Sequence, residues 1–232
     1  MDINTEKIYI NDVDIADYGA KALRDSIKVG GTAITNEYFQ GRNRTNFTLM
    51  STVYGLKPVS FTLVFIAKYL RDALLYKSTL EASMTGGCEI HLPDGFYYRC
   101  MLEKIGDNVV KGVDGTQVLV ECAYSFSGIQ HDALEYIEDG SDFLAIGTYP
   151  KMDCILTVTV SAAASSYTLG GAKFGAVVVG DVLTVDGINK RFLKNGAPIT
   201  ATEWVSFPQV VAGENHITAL DPVAVEYYPC YL

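Results

Sequence analysis

Hydrophobic and polar residues alternate singly along several stretches of this chain. Phe61, Leu63 and Phe65 interleave with Ser60, Thr62 and Val64, and Val118, Val120, Cys122, Tyr124 and Phe126 interleave with Leu119, Glu121, Ala123 and Ser125. A period of two puts each set on one face of a strand. Shorter strands are read at residues 7–10 and 45–52. Residues 88–92 and 96–105 flank Pro93-Asp94-Gly95, whose turn chemistry makes the pair a hairpin. One segment changes period. Ile66, Leu70, Ala73, Leu74, Leu80 and Met84 recur at helical spacing and predict a helix over residues 67–83. Lys68/Asp72 and Lys77/Glu81 then form i,i+4 pairs on its wet side, and Gly86-Gly87 stops it.

After about residue 150 no helical period survives. Leu156, Val158 and Val160 alternate with Thr157, Thr159 and Ser161, and further strands are expected at 182–186, 188–193, 217–220 and 223–228. Short strands at close, regular spacing with Gly-rich turns such as Asp186-Gly187 and Asn195-Gly196 indicate a β-sandwich. Between 128 and 153 the composition turns acidic, with Asp132, Glu135, Glu138, Asp139 and Asp142 close together. We place a domain boundary near Tyr149-Pro150. The expected architecture is mainly β with one helix: an α+β domain over 1–149 and a β-sandwich over 150–232. No internal repeat is visible.

Composition narrows the function. With 49% hydrophobic and 19% charged residues the chain is rich enough in apolar side chains to fold. Its 15 Tyr and 10 Phe lean toward sheet. A net charge of −9 argues against gripping nucleic-acid phosphates, and the one short basic cluster, Arg42 and Arg44, reads as a solvated loop. Five widely spaced cysteines without a CxxC are no disulfide framework and suit a reducing compartment. Residues 1–11 lack the basic and apolar regions of a signal peptide, and the longest apolar run, 59–67, is too short to cross a bilayer. We therefore expect a chain made in the cytosol, not exported by that route and not embedded in a membrane, in which the sequons at Asn43 and Asn46 carry no sugar.

No catalytic residue stands out. His91, His131 and His216 are far apart, lie in no triad signature, and read as surface histidines. The most tempting metal set is Cys88, His91 and Cys100. On a strand, however, Cys88 falls in phase with Ile90 on the buried face while His91 points with Glu89 to water, so they cannot share an ion. Gly170-Gly171-Ala172-Lys173 lacks the spacing of a phosphate-binding loop. The Asp-Gly pairs at Asp94, Asp114, Asp139 and Asp186 are turn formers. Neither a metal nor a cofactor is expected. Trp204 has two readings: stacking on a sugar ring, or packing against Phe207 at a sheet corner. We take the packing reading.

The run Trp204-Val205-Ser206-Phe207-Pro208-Gln209-Val210-Val211-Ala212-Gly213-Glu214-Asn215, followed by Val225-Glu226-Tyr227-Tyr228, resembles the end of the distal tail protein (Dit) family of long-tailed phages. The opening Ile8-Tyr9-Ile10-Asn11-Asp12 through Asp17-Tyr18-Gly19 is similar to that family's first strand and loop, with Asp12 where the family pattern has Gly. The resemblance implies a virion structural protein at the tail tip: a hub, usually a hexameric ring of copies joined head to tail. Its first (belt) domain would build the ring and meet the tail tube protein above and the tail-associated hub, fibre or receptor-binding protein below. Its second, galectin-like domain would project outward, and DNA would pass through the lumen only as cargo, which an acidic wall would repel. It implies no enzyme.

Three functions thus stand in order: structural hub, carbohydrate-binding protein contacting host-wall glycans, and, last, a hydrolase without specific support.

Overall fold

A computed structural model describes residues 7–42, 45–113 and 116–232; Asn43, Arg44 and Asp114 lie outside the described residues. The chain is mainly β, with one α-helix among the described residues. It divides into two compact units between Gln130 and His131, Leu232 going with the first. The division falls earlier than Tyr149-Pro150 because the acidic stretch is drawn into the second unit's sheets. Glu135–Ile137 pairs with Val223–Tyr227 and Phe143–Ala145 pairs with Gly213–Asn215.

The first unit is an antiparallel sheet in the order Val13–Asp14, Tyr9–Ile10, Cys88–His91, Tyr97–Ile105, Gln117–His131, Lys57–Ala67, Ala20–Ala22. Its two longest strands run side by side from Val118 opposite Ala67 to Gly128 opposite Lys57. The alternation read in the sequence sets their inner face. Phe61, Leu63, Phe65, Val120, Cys122, Tyr124 and Phe126 are buried in one cluster with Ala73, Leu80 and Met84 of the helix.

The helix runs Leu70–Met84, because Ala67 is still paired in the strand before it. Gly86 and Gly87, at φ 83° and 109°, end it in conformations that side chains resist. Two expectations fail here. Leu70 and Leu74, assigned to the buried stripe, are 41% and 37% exposed. Lys77, assigned to the wet side, is buried. It pairs with Glu81, and Glu81 also accepts from Tyr124 Oη at 3.2 Å. The helix is rolled so that Lys77 lies between Ala73, Leu80 and Met84 on the sheet side. Its ammonium is tolerated there because a carboxylate one turn away neutralises it.

Asn11 and Asp12, at φ 51° and 63°, make the tight turn between Tyr9–Ile10 and Val13–Asp14. Asn11 does more than turn the chain. Its amide donates to Ser83 O (2.7 Å), at the helix end, and accepts from Glu89 N (2.9 Å).

In the second unit the main sheet runs Glu135–Ile137, Val223–Tyr227, Met152–Thr159, Val182–Asp186, Arg191–Lys194, Ala197–Ile199, antiparallel throughout. A smaller sheet joins Tyr167–Leu169, Ala172–Phe174 and Glu203–Trp204. Leu156, Val158, Leu183, Val185 and Val225 from the first and Tyr167, Leu169 and Phe174 from the second fill one buried core, which makes this unit a β-sandwich. The strand expected at 217–220 is absent; pairing stops at Gly213–Asn215. Asp186 is more than a turn former: 1% exposed, it accepts from Asn189 N (2.8 Å), Asn189 Nδ2 (2.9 Å) and Arg191 Nε (2.8 Å). Among the described residues no helix is long and apolar enough to cross a membrane.

Candidate functional site

The positions considered for metal chemistry resolve into structural roles. Cys88 sits opposite Cys100 across neighbouring strands, and both are buried free thiols. His91 points to the other face, as strand alternation requires, with its ring against Tyr97 (4.4 Å) and Tyr9 (5.8 Å). His131 departs from the expected surface position. It is 2% exposed, its Nδ1 lies 2.8 Å from Asp132 O, and its ring meets Tyr228 edge-on at 5.0 Å. It is the last residue of the Gln117–His131 strand, where the apolar pattern gave no warning. His216 is exposed and its Nδ1 is 3.0 Å from Asp142 Oδ1. That pair borders a surface concavity of about 640 Å³ lined by Asp142, Phe143, Leu144, Glu214 and Asn215.

Two exposed apolar features stand out among the described residues. The first is a hairpin in the first unit, Ile34–Phe39 paired with Thr48–Tyr54, which the sequence showed only in its second strand. Polar cross-strand pairs hold its register: Ser51 Oγ donates to Glu37 Oε2 (2.9 Å) and Thr52 Oγ1 to Asn36 Oδ1 (2.8 Å). A register shift between Glu37 and Tyr38 marks a β-bulge, which adds twist. The apolar side chains stay in water: Ile34, Tyr38, Phe39, Phe47, Leu49, Met50 and Val53 are all 53–72% exposed. Strand pairing satisfies the facing halves of this hairpin's backbone, but its large apolar side chains belong to neither core cluster.

The second is an aromatic ledge on the sandwich. Trp204 does lie against Phe207 (ring centroids 5.0 Å), and Phe207 stacks on the buried Phe192 (5.1 Å), yet half of Trp204 remains exposed. Lys190 Nζ stands 5.5 Å from the Phe207 ring and 2.8 Å from Asp153 Oδ2, while Gln209 Nε2 donates to Asp153 Oδ1 (2.9 Å). Three segments distant in sequence build this ledge, so only the Trp204–Phe207 part was legible beforehand.

No family model and no curated protein matches the sequence. Among solved structures the fold is similar to that of phage hub and baseplate proteins. The chain is similar to SPP1 Dit (gp 19.1), a hub adsorption apparatus paradigm of phages infecting Gram-positive hosts, with a TM-score of 0.68 at 12% identity over 97% of this chain and 99% of that one. It is also similar to chains of the phage P2 baseplate in its activated conformation, with Ca (TM-score 0.54, 8% identity, 96% and 97% covered) and with Sr (0.53, 8%, 96% and 97%). At these identities the likeness is one of fold, and it spans both units.

Proposed function

We propose that this chain is a structural hub of a phage tail tip, several copies of which close into a ring, six being the expected number. The reading rests on the fold likeness to SPP1 Dit over 97% of this chain and 99% of that one. The 34–54 hairpin supports it from physical grounds, because seven large apolar side chains left 53–72% exposed on one hairpin are more than a monomer usually keeps in water. We assign the hairpin to the contact with the next copy around the ring. Such a contact is head to tail, and head-to-tail contacts close only as rings or run on as filaments. The first unit then builds the ring and meets the tail tube protein on one side and the tail-associated hub, fibre or receptor-binding protein on the other. The sandwich faces outward, and DNA crosses the lumen without being bound. No catalytic step enters this function.

Native mass measurement and electron microscopy of the purified full chain, alone and mixed with the tail tube protein of the same phage, test the proposal. Closed rings in either condition are expected. A stable dimer, or a monomer under both conditions, overturns it.

A further inference from the structure

We propose that the aromatic ledge around Trp204 binds a neutral pyranose unit of a surface glycan, a role independent of ring formation. Phe192, 8% exposed, forms the floor on which Phe207 stacks, and Trp204 leans on both at centroid distances of 5.9 and 5.0 Å. The rings are fixed by one another, so little side-chain freedom is lost when a ligand settles on the exposed indole.

Polar groups border this surface in the Asp153–Lys190–Gln209 network, while the Lys173–Glu203 pair (3.2 Å) points to the other face of the strand that carries Trp204. The network offers one ammonium group, one carboxylate and an amide. The charges cancel, which disfavours both anionic and cationic ligands. Donors and acceptors lie side by side, which suits hydroxyl groups that must give and take hydrogen bonds at once.

The same arrangement is poorly suited to a protein partner. A protein interface centres on a broad apolar patch that excludes water, whereas this one is two rings wide and bordered by an ion pair that is costly to desolvate. A sugar's hydroxyls replace the lost water directly, and its C–H face covers the indole.

The chain has a single Trp, so its emission reports on this site alone. The full chain is titrated with methyl β-glucoside, methyl β-galactoside, methyl N-acetyl-β-glucosaminide and the oligosaccharides built from each. A saturable change with at least one series is expected, tighter for the oligosaccharide. By calorimetry, Trp204→Ala lowers that affinity about tenfold or more, as loss of a central aromatic anchor does. Trp204→Phe retains most of it and Asp153→Ala weakens it, while circular dichroism checks that each variant is folded. Ring closure by Trp204→Ala is expected to match the unchanged chain. The proposal is overturned if no glycoside gives saturation, or if Trp204→Ala binds as well as the unchanged chain. It is also overturned if that variant loses its rings, which would make the ledge a contact between copies. Failure on the glycoside arm leaves the hub reading untouched.

Discussion

Tyr38 and Phe47 meet edge to face near the outer end of the 34–54 hairpin, with ring centroids 5.6 Å apart at 63°, while 61% and 65% of their surfaces stay in water. Each ring is held by the other, and neither is covered. The pair is thus positioned before any partner arrives, which lowers the ordering cost of association.

Replacing both Tyr38 and Phe47 with Asp should therefore abolish ring formation and leave the folded monomer nearly as stable, within about 0.5 kcal/mol per site, as for exposed positions generally. Sedimentation velocity and thermal unfolding measure the two effects separately. A destabilised monomer would mean that the pair supports the fold instead.

Lys77 makes a second prediction. Removing its charge alone, as Lys77→Met, leaves Glu81 partly buried beneath the helix with Tyr124 Oη as its remaining partner. The cost should be about 2–3 kcal/mol. Adding Glu81→Gln to the same chain should recover much of it, because no unpaired charge is left. Urea unfolding of the two single variants and the double variant gives the coupling directly.

Acid stability depends on two carboxylates of the sandwich. Donation from Lys194, Val178 N and Asn195 holds the Asp181 carboxyl at about 2, below its ordinary 3.8. Burial acts to raise Asp186, but hydrogen bonds from Asn189 and Arg191 outweigh it and the net shift is downward. A folded-state pKa below the unfolded one stabilises the protein above the unfolded value, and the gain disappears as pH falls through the folded value. Asp181→Asn should be less stable than the unchanged chain at pH 7. The gap should narrow between about pH 4 and pH 2. Denaturant midpoints along that pH series test the sign.

The first turn supplies a stabilising substitution. Asp12 occupies φ 63°, in the left-handed region that glycine adopts without a Cβ clash. Asp12→Gly should raise the stability of the first unit by roughly 0.5–1 kcal/mol, read as an increase of a few degrees in its unfolding temperature.

The strands of the core were legible because their burial is mostly one-sided, with Val64 (0% exposed) and Leu119 (8%) buried on the opposite face as the exceptions. Phe61, Leu63 and Phe65 could face only one way, and they are buried at 0–1% exposure. The helix was legible in its period but not in its roll, since Lys77 and Leu74 exchange the positions that polarity alone assigns them. The 34–54 hairpin was half hidden because its apolar residues alternate toward no core. A pattern with no core behind it carries no phase relative to the chain's own interior. The Trp204 ledge was hidden for a different reason: Asp153, Lys190 and Gln209 reach it from three strands or turns that only the folded sandwich brings together.

Cys88 and Cys100, abreast on adjacent strands, have a consequence for how long this protein lasts. Burial pushes their thiols up to about 11 and about 12. At neutral pH almost none of either is ionised, and the ionised sulfur is the form that oxygen and electrophiles attack. Months of storage in air should leave their sulfur chemistry unaltered, so ageing of the protein begins on its surface and not at these two thiols.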